Sequence, residues 1–98
     1  MQIIVKPDAE IDIRQANAWY RGINPEIAQR YLLELDVAFT FLLQFPLASP
    51  ICLNTCCQYV MKRFPYLIIY ECTDDIIFIH AVFHASRDRT AIVERISQ

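Results

Sequence analysis

Two consecutive segments near the C-terminal end, Tyr66–Cys72 and Ile76–His84, constrain this chain more than any other feature of it. Both are rich in β-branched and aromatic residues, and Thr73-Asp74-Asp75 between them consists of turn-forming types, so they read as a β-hairpin. Alternation puts Tyr66, Ile68, Tyr70 and Cys72 on one face of the first strand, with Leu67 and Ile69 on the other. In the second strand Ile77, Ile79, Ala81 and Phe83 oppose Ile76, Phe78, His80 and Val82. Both faces are apolar, whereas an antiparallel sheet with one solvated face alternates apolar with polar. Such a hairpin needs cover on both sides, and an uncovered face would be an association site.

The N-terminal half supplies cover for one side. Ile3-Ile4-Val5, stopped by Pro7, reads as an opening strand. Asp8 to Tyr20 follows with Ala9, Ile13, Ala16 and Tyr20 at helical spacing, and Gly22, the only glycine, lies where a helix commonly ends in the left-handed conformation. Asn24 suits a cap, Pro25 a first helical position and Glu26 the positive end of the dipole. From there Ala28, Tyr31, Leu32, Leu35, Ala38, Phe39 and Leu42 form an apolar stripe up to Pro46. So short a link, Arg21–Ile23, makes the two helices an antiparallel hairpin. Leu47–Asn54 reads as a loop, Thr55 to Lys62 as a strand with period two, and Ser86–Ile96 as a short final helix. The predicted order is β-α-α-β-β-β with a short C-terminal helix. The class is α+β: an N-terminal strand and helical hairpin packed on a mostly antiparallel sheet.

Composition excludes several classes. The 98 residues make one domain spanning 1–98, and 55% hydrophobic content rules out disorder. A net charge of −2 and a pI near 5.5 argue against direct nucleic-acid binding. No apolar run is long enough to span a membrane, and Met1-Gln2-Ile3-Ile4-Val5-Lys6-Pro7 lacks the basic region and cleavage site of a signal peptide. A cytoplasmic protein is expected, with Cys52, Cys56, Cys57 and Cys72 as reduced, packed thiols.

The residue types that carry chemistry show no catalytic or metal pattern along the chain, and neither a cofactor nor a metal is expected. Cys56 and Cys57 are adjacent in a strand and point to opposite faces, so they cannot readily share one tetrahedral ion. His80 and His84 share a face but lie roughly 13 Å apart in an ideal strand. One glycine excludes a glycine-rich phosphate loop. Basic residues gather modestly around the hairpin: Lys62 and Arg63 precede its first strand, and Arg87, Arg89 and Arg95 follow its second.

The stretch Lys62-Arg63-Phe64-Pro65-Tyr66-Leu67-Ile68-Ile69-Tyr70, then Thr73-Asp74-Asp75, Ile76–Val82 and His84-Ala85-Ser86-Arg87-Asp88, resembles the RelE/ParE superfamily of toxins. The ParE branch carries a similar R-[YF]-P-Y-L-I-x-Y strand and a later H-x-x-R-D. Pro7-Asp8-Ala9-Glu10-Ile11-Asp12-Ile13 resembles the P-x-A-x-x-D-[LI] opening. Ala28-Gln29-Arg30-Tyr31-Leu32 and Phe45-Pro46 resemble the second helix and its stop. The resemblance implies the toxin of a type II toxin–antitoxin system, neutralised by a cognate antitoxin from an adjacent gene. ParE-like members are associated with DNA gyrase; RelE-like relatives are ribosome-dependent mRNA endoribonucleases. RelE-type nucleases place an arginine directly after the strand tyrosine, where this chain has Leu67, and use a C-terminal tyrosine that Ala91-Ile92-Val93 does not offer. A non-enzymatic gyrase inhibitor is therefore favoured over the nuclease, and over an inactive shell that only binds antitoxin. Arg63, Arg87 and Arg89 are the candidate target contacts, since charges at one sheet edge suit an acidic partner. Tyr66, Ile68, Tyr70 and Phe78 are expected to serve the core or the antitoxin interface.

Overall fold

The computed structural model describes residues 1–97. In them β1 (Gln2–Val5) leads into α1 (Pro7–Ile23) and α2 (Pro25–Gln44). Four strands follow, β2 (Ile51–Leu53), β3 (Cys56–Val60), β4 (Tyr66–Cys72) and β5 (Ile76–His84), and then α3 (Arg89–Ile96). The sheet order is β1-β5-β4-β3-β2, with β1 parallel to β5 and every other pair antiparallel. This is the expected α+β architecture, with one added edge strand: Ile51–Leu53, read as loop from its turn-formers, pairs with β3.

The helical hairpin is tighter than expected. Gly22 lies inside α1, and the link is the single residue Asn24, held extended (φ −162°, ψ 120°). Asn24 closes both helices. Its N–H donates to the Tyr20 carbonyl (2.8 Å) and its side chain accepts from the Glu26 N–H (2.9 Å). With an extended residue making the turn, no left-handed glycine is required.

The hairpin buries Ala9, Ala16, Tyr31, Leu35, Ala38 and Leu42 against one sheet face, which supplies Cys57, Ile68, Tyr70, Ile77, Ile79 and Val82. The opposite face is a smaller cluster in which Ile92 of α3 packs on Cys56, Ile69, Ala81 and Phe83. The strict alternation expected along β5 fails at one point. Ile69 pairs with Ala81 and Tyr70 with Ile79, leaving His80 as an extra, bulged residue. Ile77 and Ile79 therefore face the helical hairpin, whereas Ala81 and Phe83 face α3.

β1 pairs with β5 only as far as Val5 opposite Ile79. Beyond that point side chains cap the β5 edge. Asp12 of α1 accepts from the Val82 N–H (3.0 Å), and Arg95 of α3 donates to the His80 carbonyl (2.8 Å). The two also meet through paired hydrogen bonds of 2.8 and 3.0 Å, with side chains only 8% and 16% exposed. This bidentate, largely desolvated pair fastens α3 to α1 around the sheet edge. It also pushes the Arg95 pKa upward, chiefly through its hydrogen bond to Asp12.

Candidate functional site

The antiparallel β4–β5 register brings two of the candidate arginines to one end of the sheet. Tyr66 pairs with His84, and the Ala85 N–H donates to the Pro65 carbonyl at 2.7 Å. Arg63 and Arg87 flank this junction, both exposed, but they turn toward different faces. Arg63 reaches the helical hairpin, donating to Glu34 at 2.8 Å. Arg87 lies over the Phe83 ring, 4.6 Å from its centroid, on the α3 side. Arg89 turns away to donate to the Cys52 carbonyl of β2 at 2.6 Å. The three form no single cluster.

Arg87 also borders a groove of about 230 Å³ between α1 and the end of β5, shared with Asp12, Gln15, Trp19, Tyr66 and His84. Trp19 is 63% exposed and stands edge-on to Tyr20, with ring centroids 5.1 Å apart. His84 stands edge-on to Tyr66, with ring centroids 5.3 Å apart. Its Nδ1 accepts from the Ser86 N–H (3.1 Å), so the neutral ring carries its proton on Nε2. Burial, and then the neighbouring Tyr20 hydroxyl, push the Tyr66 phenol up to about 12, which keeps it protonated and unfit as a base. Leu67, half-buried on the opposite face, pairs with Val60 and Phe83 and brings no charge to the groove. An exposed aromatic, an imidazole and a guanidinium suit recognition of a partner surface.

Of the residues expected to serve the core or an antitoxin, Ile68 and Tyr70 have no exposed surface and Tyr66 retains 8%. They belong to the core beneath the helical hairpin, and of the three only Tyr66 reaches the groove; the Tyr70 hydroxyl donates to the Pro46 carbonyl at 2.9 Å. Phe78 is different. It sits in a row across the sheet with Ile4 on one side and Glu71 then Cys56 on the other. Phe78 is half-buried and Ile4 is 37% exposed, on the part of the second face that α3 leaves open.

Along this row and beside it lies a cluster that sequence reasoning missed. One ligand-type atom from each of Cys56, Glu71 and His80 lies within 4.8 Å of the others. The His80 Nε2 is 3.0 Å from the Glu71 Oε1, and Thr55 donates to the Glu71 Oε2 at 2.7 Å. Those hydrogen bonds hold the Glu71 carboxyl below its usual range, and burial, with Glu71 beside it, pushes the Cys56 thiol up to about 11. The residues come from three strands, so no spacing along the chain announces them. The signal available was the hairpin register, which sets Glu71 opposite Phe78 and thus beside His80.

A helical hairpin on one face of a small mixed sheet, a short helix over part of the other and a groove at the sheet end define a small α+β domain. Residues 3–89 match the sequence profile described as "ParE toxin of type II toxin-antitoxin system, parDE". The chain belongs to the ParE family of type II toxin–antitoxin toxins. Among solved structures it is similar to a chain of a chromosomal ParDE TA system from P. aeruginosa. The TM-score is 0.76 at 17% identity, over 86% of this chain and 95% of that one, a likeness of fold. No protein of curated function matches the sequence significantly. Among the described residues no helix is long and apolar enough to cross a membrane.

Proposed function

We propose that this toxin acts in the cytoplasm by binding and poisoning DNA gyrase, and that a cognate antitoxin encoded beside it neutralises it. The observation that carries the target reading is the groove at the sheet end where exposed Arg87 stands with Trp19 and His84, with exposed Arg63 at the same end of the sheet but turned to the other face. A guanidinium beside an exposed aromatic offers an acidic partner both steering and an anchor. Arg89, bound to the Cys52 carbonyl, contributes less as it stands. The antitoxin reading rests on the open part of the second face, where Phe78, Ile4 and Ile76 offer a modest apolar surface.

The double variant Arg63→Ala with Arg87→Ala tests the assignment. It is expected to abolish growth arrest when expressed alone, and to bind antitoxin in pull-down with affinity largely unchanged. Full toxicity in that variant ends the target assignment. Phe78→Ala is expected to do the reverse, keeping toxicity while weakening antitoxin binding.

A further inference from the structure

We propose that Cys56, Glu71 and His80 form a zinc-type divalent cation site at the margin of α3, with Cys56 buried beside Ile92 and with Glu71 and His80 reaching toward the open part of the sheet. Zinc holds sulfur at about 2.3 Å and nitrogen or oxygen at about 2.0–2.2 Å, so the ligand atoms of a tetrahedral site lie roughly 3.3–3.8 Å apart. The His80–Glu71 pair already stands at 3.0 Å and the full triad fits within 4.8 Å, so small side-chain rotations bring all three onto one ion. A thiolate, an imidazole and a carboxylate form a borderline-soft set that suits zinc and is wrong for calcium or magnesium, which take oxygen ligands.

The backbone fixes the three positions. Cys56 and Glu71 are directly paired across β3 and β4, and the bulge at His80 keeps that residue on their face. Thr55 binds one carboxylate oxygen of Glu71 and orients the other toward the site, the kind of outer support that metal ligands commonly have. Access comes from the solvent side. The side chains of His80 and Glu71 are 14% and 33% exposed, and His80 lines a cavity of about 280 Å³ with Lys6, Pro7, Asp8, Arg95 and Ile96. Binding releases the Cys56 thiol proton to solvent, and the Nε2 proton that His80 donates to Glu71 is lost to solvent while Nδ1 takes one up, so the ring stays neutral and Nε2 is free for the metal. Three protein ligands leave the fourth position to water.

Titration of the full chain with Co(II) under reducing conditions tests the site. One equivalent is expected to give the thiolate-to-cobalt charge-transfer band and the visible absorption of tetrahedral cobalt, both abolished by Zn(II). Cys56→Ser is expected to remove the band, and His80→Gln and Glu71→Gln each to weaken binding at least about tenfold. A variant with Cys52, Cys57 and Cys72 all changed to Ser is expected to keep it. The proposal is overturned by absence of the band, by its survival in Cys56→Ser, or by its loss only in the triple variant. Should Cys56→Ser fold poorly by circular dichroism, His80→Gln and Glu71→Gln, at partly exposed positions, decide: unchanged affinity in both refutes the site.

Discussion

The two faces of the sheet begin from the same kind of sequence and end differently. Under the helical hairpin, Ile68, Tyr70, Ile77 and Ile79 are fully buried, and Tyr20, Tyr31, Phe64 and Tyr66 stack into an aromatic cluster with centroids 5.2–6.3 Å apart. On the other face Ile69, Ala81 and Phe83 are equally buried, but the row of Ile4, Phe78 and Glu71 remains partly open. The cause is helix length. The 20 residues of α2 span about 30 Å. The 8 residues of α3 reach only about 12 Å. One face therefore belongs wholly to the fold, while the other keeps partly open surface along Ile4, Phe78 and Glu71.

The largest effects should separate what fastens the second face from what merely lines it. Arg95→Ala leaves Asp12 buried without its cation, and a loss of about 3–5 kcal/mol is expected by urea denaturation. A loss under about 1 kcal/mol would mean that α3 is held by Ile92 alone. Next, Ile68→Ala should cost about 2–5 kcal/mol as a cavity in the closed face. Phe78→Ala, on the open face, should cost no more than about 1 kcal/mol. Equal losses at the two positions would erase the distinction between the faces.

Smaller effects sharpen the contrast. The Tyr31 hydroxyl is buried with no hydrogen-bond partner among the described residues, and burial drives its pKa strongly upward. Tyr31→Phe removes that unsatisfied group and should raise stability by about 1 kcal/mol. An equal loss on thermal denaturation would reveal a partner for the hydroxyl. Glu71 gives the smallest signal. Its folded pKa lies below 4.5 because Thr55 and His80 hydrogen-bond the carboxylate. Its contribution is present above that value and fades as pH falls through the folded pKa. Glu71→Gln should flatten the acid limb of stability against pH; an unchanged limb would assign that limb to other carboxylates.

Much of the closed face was legible in the sequence, because its signals are local. Asn24-Pro25-Glu26 marked a helix start, the 28–42 stripe gave its buried side, and Thr73-Asp74-Asp75 gave the hairpin turn. What stayed hidden depends on distant partners. Gly22 has helical surroundings because the extended Asn24 makes the turn instead, and Ile51–Leu53 becomes a strand only by pairing with β3. The bulge at His80 carries no composition mark, yet it re-aims the rest of β5. Arg63 and Arg87 come to the same end of the sheet, as the hairpin register implies, but which way the candidate arginines turn depends on Glu34, Phe83 and the Cys52 carbonyl.

The most direct measurement is to induce this chain alone in bacteria and follow DNA and protein synthesis by pulse labelling. The account predicts an early halt in DNA synthesis while translation continues, abolished when Arg63 and Arg87 are both replaced by Ala. An early halt in translation with DNA synthesis continuing would contradict it and point to the ribosome.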